Sequence, residues 1–377
     1  MNLELTAEQA KLQSEAKEFV ENEVVPNAAE DDRLERLNAG IVKKLGEKGY
    51  LGSMIPEEFG GSGLDAVSSG ILNEEIGKGC SSVRSLLTVH GMAALAIHRW
   101  GTGEQKDYWL TKMAKGDVVG AFGLTEPNVG SDAKSIETIA VKSEGNFVLN
   151  GTKRWITMGQ IADVFLIFAQ LDEKPTAFII KRDTPGLYIK PINGLIGARA
   201  SMIAELKLEN CVIPEENLVG NAGTGISHVA LSSLDYGRYT IAWGCVGLAQ
   251  ACLEASLRYT RKRKQFGVPL RQHQLIQRMI TNMVVDIKAA RLLCLNAGYL
   301  KDSLDPDSIL ETWNAKYFAS KMVNRVAADA VQIHGAVGCN NEYPIERYYR
   351  DAKINEIIEG TSQMHEVLIA TNAFRRS

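Results

Sequence analysis

One acidic residue near the C-terminus has a setting suited to removing a proton from a weak acid. Glu359 follows two isoleucines in the run Ile357-Ile358-Glu359-Gly360-Thr361. Apolar neighbours disfavour the charged form of a carboxylate, so they are expected to raise the pKa of Glu359 toward the range where a general base works best. The alternative is a glutamate at a helix end beside a glycine that caps the helix.

Other catalytic signatures are missing from the sequence, which contains no Walker, HExxH, GxSxG or EF-hand pattern. The segment Gly220-Asn221-Ala222-Gly223-Thr224-Gly225 is rich in glycine, but no strand–helix–strand unit surrounds it. The pattern therefore favours a loop between domains over a phosphate-binding loop and disfavours a Rossmann fold. The six cysteines form no CxxC pair, so we expect reduced thiols, no disulfide framework and no bound metal.

Composition sets limits on the partners. The chain has 377 residues, 45% of them apolar, and a net charge of −3, which gives no general attraction to nucleic acid or to anionic membranes. The longest nearly apolar run, Ile161 to Ala169, contains Asp163 and is too short to cross a bilayer. The first residues lack the basic and apolar regions of a signal peptide. We expect a cytoplasmic protein with no membrane association.

Hydrophobic periodicity divides the chain into three zones. Residues 1–120 are predicted to be helical, beginning with a capping box at Thr6 and Gln9. Residues 121–224 read as short strands and predict an antiparallel barrel or sandwich, with a hairpin turn at Asn150-Gly151. Residues 225–377 are predicted to be helical again. Four helical stretches in the last zone are long enough for an antiparallel four-helix bundle, namely residues 226–261, 271–301, 308–334 and 344–373.

Several segments distributed over nearly the whole chain resemble the acyl-CoA dehydrogenase family in order and spacing. Each segment alone is weak evidence, whereas the set is specific. The segments are Leu124-Thr125-Glu126-Pro127-Asn128-Val129-Gly130-Ser131-Asp132, Asn150-Gly151-Thr152-Lys153-Arg154-Trp155-Ile156-Thr157, Arg263-Lys264-Gln265-Phe266-Gly267 with His273-Gln274, Gln332-Ile333-His334-Gly335, and Arg350-Asp351-Ala352-Lys353 leading to Glu359-Gly360-Thr361-Ser362-Gln363. The resemblance implies an α+β fold with a helical domain, a middle β domain and a C-terminal four-helix bundle.

The resemblance also implies bound FAD and a set of residues that hold it. Backbone groups, hydroxyls and an aromatic wall suit the flavin ring, and an arginine suits the pyrophosphate. The residues implied to hold the isoalloxazine are Phe122, Leu124, Thr125, Gly130, Ser131, Trp155 and Thr157. Those implied to hold the adenosine diphosphate part from a neighbouring subunit are Arg263, Phe266, Gln274, Gln332 and Gly335. Thr361 and Gln363 would approach the flavin near the base, and the shared site implies a homodimer or homotetramer.

In the family, the residue at the position of Glu359 removes the α-proton of an acyl thioester while the β-hydrogen leaves as hydride. Some members carry this base on another helix, directly before an arginine. Here that position is Gly237, which precedes Arg238 and has no side chain that could serve. The resemblance therefore implies Glu359 as the base, and it implies that Ser131, Arg238 and Gly360 lie next to the substrate.

The acyl pocket is implied to contain Arg84, Leu87 and Thr88, in the run Cys80 to Thr88. An arginine in such a pocket is costly unless it meets an anion. It would either recognise a carboxylate or another polar end of a short acyl group, or form an internal salt bridge to an acid of the pocket.

Two subfamilies resemble the chain near Arg84. Glutaryl-CoA dehydrogenases share a similar arginine. The acyl-carrier-protein dehydrogenases that supply hydroxymalonyl, methoxymalonyl or aminomalonyl extender units for polyketides are more similar, although Thr125-Glu126-Pro127 follows the general dehydrogenases. We expect an acyl thioester of carrier protein or CoA as substrate, and electron-transfer flavoprotein or another protein as electron acceptor. A flavin oxidase or monooxygenase and a non-catalytic scaffold are the competing classes, and Glu359 argues against both.

Overall fold

The computed structural model describes residues 4–376, and it places six helices before the sheet. The capping box is confirmed, because Thr6 accepts from the Gln9 N–H and the Gln9 side chain accepts from the Thr6 N–H. A π-helical turn, Val20–Val24, extends the first helix until just before Pro26. The helices are α1 Ala7–Phe19, α2 Ala28–Leu34, α3 Ile41–Glu47, α4 Ala66–Gly79, α5 Ser81–Trp100 and α6 Gly103–Lys115.

The middle of the chain forms an eight-stranded sheet with the strand order β6-β7-β3-β2-β4-β5-β8, in which β1 pairs with β4. Neighbouring strands are antiparallel except that β1 and β2 both run parallel to β4. The strands are β1 Gly120–Gly123, β2 Ile139–Ser143, β3 Asn146–Ile156, β4 Val164–Leu171, β5 Lys174–Lys181, β6 Leu187–Pro191, β7 Ala204–Pro214 and β8 Leu218–Val219. This middle β domain agrees with the predicted fold class.

The predicted hairpin turn at Asn150-Gly151 is wrong. Both residues lie inside the continuous strand β3, at an irregularity in its pairing with β7. The Asn150 side chain accepts from the Asn210 N–H at 2.8 Å, which stabilises this bulge instead of a turn. The hairpin is made by Glu144 and Gly145 between β2 and β3, both with positive φ (47° and 77°). Asn-Gly signals a positive φ, and a bulge and a turn can both use it.

The last part of the chain is a helical bundle around a buried central helix. The helices are α7 Leu231–Lys262, α8 Gln274–Asp302, α9 Ser308–His334, α10 Ile345–Ile354 and α11 Ser362–Arg376, with the short strands β9 Lys264–Gln265 and β10 Val268–Pro269 after α7. A π-helical turn, Gly225–Ala230, leads into α7. Together they span 38 residues and have the length and hydropathy of a membrane-crossing helix, but 83% of the apolar window is buried inside the protein.

The fourth predicted stretch, residues 344–373, is interrupted between Ile354 and Ser362. Glu359 and Gly360 lie in this break, with φ values of 55° and 93°. Two consecutive residues with positive φ cannot continue a right-handed helix, so the chain leaves α10 and restarts in α11. Periodicity could not reveal this interruption, because apolar residues continue through it.

Helix α4 joins the first domain to the bundle through a very close approach to α7. A Cβ atom on Gly77 would lie 2.8 Å from the Gly244 Cα atom, so both helices need glycine where they cross. This close packing holds α5, which follows α4 directly, against α7. The changes between helix and strand fall between Lys115 and Gly120 and between Val219 and Gly225. We retain 1–120, 121–224 and 225–377 as proposed domains.

Candidate active site

The Glu359 side chain lies against a glycine of α7 that leaves room for it. A Cβ atom built on Gly237 would lie 2.5 Å from Glu359 Oε2 and 2.9 Å from Met92 Sδ. A carboxylate at 359 and any side chain at 237 therefore compete for the same space. The glycine that excludes the alternative base position in the sequence also makes the cavity for the carboxylate.

The Glu359 carboxylate is desolvated and faces three cationic side chains. Its Oε2 atom is buried and has no hydrogen-bond partner among residues 4–376. Burial raises the pKa of Glu359 to about 7, and the positive charges of Arg238, Lys316 and Arg84 oppose that rise. A carboxylate with this pKa is substantially ionised at neutral pH and still basic enough to accept a proton.

The source of the burial differs from the sequence prediction. Ile357 is 54% exposed, so this isoleucine does not shield the carboxylate as expected. Ile358 packs against the hydrophobic core of the bundle. The low-polarity surroundings come from α5 and α7, through Met92 and Gly237. Adjacent residues in sequence point in different directions in a loop, which explains why neighbours in the chain were a poor guide.

Arg84 is buried on α5, and its partners are hydroxyl groups. Its Nη1 donates to Thr88 Oγ1 at 3.2 Å and its Nη2 to Ser85 Oγ at 3.1 Å. Thr88 Oγ1 lies 2.9 Å from Thr240 Oγ1, which donates to the Gly237 carbonyl. Among residues 4–376, no acid lies within ion-pair distance of Arg84. The internal salt bridge considered above is therefore not what the structure shows.

A glycine on α7 provides the space for this guanidinium group. A Cβ atom on Gly244 would lie 2.8 Å from Arg84 Cδ and 3.0 Å from its Nε. Arginine has five N–H donors, and the two hydroxyl contacts occupy two of them. Leu87, one turn along α5, is buried in the core that α5 shares with the sheet. Arg84 and Thr88 thus face α7 and Glu359, whereas Leu87 packs with the domain core.

The residues predicted to contact the isoalloxazine lie on two neighbouring segments of the β domain. A fully buried ion pair between Lys153 and Glu126 (2.6 Å) fixes the loop after β1 to β3. Lys153 Nζ also donates to the Leu124 carbonyl, and the Arg154 N–H donates to the Thr125 carbonyl at 2.8 Å. No role was predicted for Lys153 or Glu126, although both lie in the segments that carry the resemblance.

This part of the β domain has groups that fit a flavin. Trp155 has a φ of 63° and is 50% exposed, so a large aromatic face stands in solvent at the end of β3. Hydroxyl groups of Thr125, Ser131 and Thr157 lie on the same two segments, and Ser131 is exposed. Phe122 packs against Phe168 of β4. An aromatic wall with hydroxyl donors suits an isoalloxazine ring.

The residues predicted to contact the adenosine diphosphate part lie at one end of the bundle. Phe266 is 94% exposed at the turn between β9 and β10. The Tyr259 ring stacks on the His334 ring at 4.4 Å, which joins the end of α7 to the end of α9. Arg263, Gln274, Gln332 and Gly335 are also exposed.

Thr361 and Gln363 follow Glu359 directly. The Thr361 hydroxyl accepts from the Met364 N–H and begins α11, and Gln363 is exposed. Arg238 Nε donates to the Glu359 carbonyl at 3.0 Å, and a Cβ atom built on Gly360 would lie 3.2 Å from His365 Cε1 and 3.8 Å from Arg238 Nε. Thr361 and Gly360 thus lie beside Glu359, and their contacts with flavin and substrate stay predictions. Four residues near the base were not predicted, because nothing in one sequence reveals which helix faces meet. They are Lys316, His365, Met92 and Thr240.

Comparison with known proteins identifies the class of this architecture. Models of the N-terminal, middle and C-terminal domains of acyl-CoA dehydrogenases match residues 6–117, 121–211 and 223–374. The chain belongs to the acyl-CoA dehydrogenase family of FAD-dependent oxidoreductases.

Individual relatives are consistent with this family assignment. The chain is 41% identical to a probable acyl-CoA dehydrogenase of Bacillus subtilis, covering 98% of this chain and 99% of the relative. It is 39% identical to a short-chain-specific acyl-CoA dehydrogenase of Clostridium acetobutylicum, with both chains fully covered.

Solved structures place the chain near several branches of the family. Butyryl-CoA dehydrogenase from Megasphaera elsdenii superposes with a TM-score of 0.96 at 34% identity, covering 99% of this chain and 100% of the other. Glutaryl-CoA dehydrogenase from Mycobacterium smegmatis gives 0.94 at 34% identity, covering 98% and 95%. FkbI, for biosynthesis of the methoxymalonyl extender unit of a polyketide, gives 0.89 at 31% identity, covering 96% and 99%.

Proposed function

We propose that this protein dehydrogenates a short acyl thioester whose far end is acidic or polar, with Glu359 as the catalytic base. The observation that carries the proposal is the buried Glu359 carboxylate in the space left by Gly237, with a pKa near 7. The α-proton of a thioester is weakly acidic, so its removal needs a desolvated carboxylate that is ionised at neutral pH. FAD, when bound, accepts the β-hydrogen as hydride.

The Arg84 guanidinium supports an acyl group with an anionic or polar end. Within the described residues 4–376, three of its five N–H donors have no hydroxyl partner, and the side chain is almost completely buried. A buried cation without a carboxylate partner is costly, and a substrate carboxylate would offset that cost. We propose that Arg84 binds this end of the acyl group and that Thr88 orients the guanidinium.

The spacing along α7 supports a short acyl group. Glu359 lies at the level of Gly237, and Thr88, which binds the guanidinium, meets Thr240. The Arg84 Nε atom itself lies beside Gly244, further along the same helix. Three to seven residues of helix correspond to about 4.5 to 10 Å of rise. We therefore expect an acyl group that ends within this distance of the reacting carbon, whereas a fatty acyl chain would have to pass the guanidinium.

The base assignment is tested by Glu359→Gln in anaerobic single-turnover mixing with a short acyl thioester. Loss of absorbance at about 450 nm reports flavin reduction. We expect bound FAD to remain and its reduction to slow by a factor of about 10² to 10⁴. Glu366→Gln, an exposed glutamate on α11 paired with Lys321, is the control and keeps full activity. Normal flavin reduction by FAD-loaded Glu359→Gln protein would remove the base assignment.

A second candidate is a carrier-protein substrate of an extender-unit pathway, which the likeness to FkbI and the buried Arg84 favour. In this version, Glu359 takes a proton from one hydroxyl of a hydrated aldehyde at C3, and bound FAD would accept the hydride from the same carbon. The carboxylic acid that results releases its remaining acidic proton to solvent, and the carboxylate lies beside Arg84. Mass spectrometry of acyl groups on CoA and on carrier protein, after incubation with the enzyme, separates the candidates. An unsaturated CoA product supports desaturation, and a new carboxylate on carrier protein supports the pathway enzyme.

We propose that the protein works in the cytoplasm and forms a homodimer or homotetramer. The exposed Phe266 supports the second part, because the family resemblance implies that the residues around it hold the adenosine diphosphate part of a neighbouring subunit's FAD. Electron-transfer flavoprotein is the proposed acceptor.

A further inference from the structure

The loop that carries Glu359 is held by side chains from three different helices. Arg238 of α7 donates to the carbonyl of Glu359 at 3.0 Å. Lys316 of α9 donates to the carbonyl of Gly360 at 2.7 Å, and His365 of α11 donates through Nδ1 to the carbonyl of Thr361 at 3.0 Å. Three consecutive carbonyls are thus bound by three side chains, and we call this arrangement the carbonyl cradle.

The cradle stabilises a backbone conformation that is unfavourable by itself. Glu359 and Gly360 both have positive φ, and a left-handed conformation costs a residue with a side chain about 1–2 kcal/mol. Such conformations persist where the surrounding structure over-determines them, often at active sites. Without the cradle, the loop could relax and move the carboxylate out of the space beside Gly237.

Lys316 is the unexpected member of this group. It lies in the middle of α9 and is fully buried. Lysine is almost never fully buried unless its charge is paired. Among residues 4–376, it forms no ion pair within 4.0 Å, and its ammonium group donates to a backbone carbonyl instead. Methionine or leucine would fill the same volume without the cost of burying a charge.

We infer that Lys316 is a positioning residue for the catalytic base, which it holds in place through the Gly360 carbonyl while its charge favours the ionised carboxylate. The inference rests on the proposed role of Glu359. The hydrogen bond fixes where the carboxylate lies, and the charge affects when it is ionised. Removing the two contributions separately should therefore give two different effects.

Several charged groups affect the pKa of Glu359, and the experiment must separate the contribution of Lys316 from the others. The charged or titratable groups that face the carboxylate or Lys316 are Arg84 of α5, Arg238 and Cys245 of α7, Lys316 itself of α9, Glu356 of the loop and His365 of α11. Burial lowers the pKa of His365 to about 4, so this ring is neutral at pH 7. Burial also raises the pKa of Cys245 to about 12, so the thiol is neutral. The positive charges near Glu359 thus come from two arginines and Lys316.

Two variants of Lys316 test the inference. Lys316→Met removes both the donor and the charge, and Lys316→Gln removes the charge but retains an N–H donor. We expect kcat to fall at least tenfold in Lys316→Met, since small displacements of a catalytic group have large effects. We expect Lys316→Gln to recover much of that loss. In both variants the acidic limb of kcat/KM should move up by about one pH unit, because the cation that favours the carboxylate is gone.

The control is Lys321→Met, five residues further along α9, which removes an exposed lysine that contacts Tyr317 and Glu366. It should retain the kcat and pH profile of the wild type. Circular dichroism and FAD content establish that each variant is folded and loaded. If Lys316→Met does not fold, Lys316→Gln carries the test through its pH limb.

Two failures are distinguishable. Unchanged kcat and an unchanged pH limb in a folded, FAD-loaded Lys316 variant would overturn this inference while leaving the base assignment intact. Normal flavin reduction in Glu359→Gln would overturn the base assignment itself. A lower kcat in both variants with no movement of the pH limb would show a merely structural role for Lys316 and would also overturn the inference.

Discussion

The loop around Glu359 and the surface around Phe266 differ in where their groups find partners. In the loop, the carbonyls of Glu359, Gly360 and Thr361 are all bound by side chains of the same chain. At the surface, Phe266 is 94% exposed although it is a large aromatic residue. The first region is complete in one chain, and the second has the features of a surface that something else covers.

This difference suggests that the two regions of the proposed site have different roles. The base and the acyl pocket depend on packing of α5, α7 and α9 inside one subunit. The residues proposed to contact the adenosine diphosphate part are exposed, and we expect a second subunit to supply the rest of that cofactor site. Changes in the first region should therefore alter chemistry and specificity, whereas changes in the second should alter cofactor affinity.

Among these substitutions, the largest effect on substrate specificity is expected at Arg84. Arg84→Met should lower kcat/KM for an acyl thioester with an acidic end by roughly 10- to 100-fold, the value of one or two charge-assisted hydrogen bonds. The same variant should keep or improve activity on an unsubstituted short acyl thioester. Arg258→Met, which removes an exposed arginine on α7, is the control. An equal loss on both substrates would mean that Arg84 does not select the end of the acyl group.

A smaller effect, on FAD affinity, is expected from substitutions in the exposed surface around Phe266. Arg263→Ala should weaken FAD binding by about tenfold through loss of a charge-assisted contact to phosphate. FAD retained after gel filtration provides the measurement, and excess FAD should restore activity with an unchanged pH profile. Lys264→Ala, the neighbouring exposed cation, should retain FAD normally. Full retention of FAD by Arg263→Ala would separate this surface from the cofactor.

The smallest effect concerns stability. Because the pKa of Glu359 is about 7 in the folded protein and 4.5 as a model value, the folded state binds more protons between these values. The contribution of this group to stability therefore falls as the pH rises from about 4.5 to 7. Glu359→Gln should melt at a higher temperature than wild type above pH 7, and the gap should close toward pH 5. A gap that does not depend on pH would mean that Glu359 has an ordinary pKa.

The sequence was informative where local chemistry determines the structure. The capping box at Thr6, the order of helices and strands, and the setting of Glu359 beside a glycine could all be read from it. Gly237 could be recognised as lacking a base, although its role in making space for the carboxylate needed the fold. These features depend on residue type and spacing, which a single chain displays directly.

Other features depend on contacts between distant segments. Lys316 looks like a surface lysine in the sequence, and only the packing of α9 against α7 and α11 buries it. Ile357 looked like a shield for Glu359 and is exposed, because the loop turns it outward. At Asn150-Gly151, pairing with β7 converts an apparent turn into a bulge. Tertiary packing outweighed local preference in each case.

The pH dependence of flavin reduction tests the central claim most directly. If Glu359 is the base, and burial holds its pKa near 7 against three cations, kcat/KM for flavin reduction by a short acyl thioester should rise about tenfold per pH unit below pH 7 and level off above it. The profile should be measured anaerobically, with FAD content checked at each pH. A kcat/KM that is constant between about pH 5.5 and 8.5 would contradict the account.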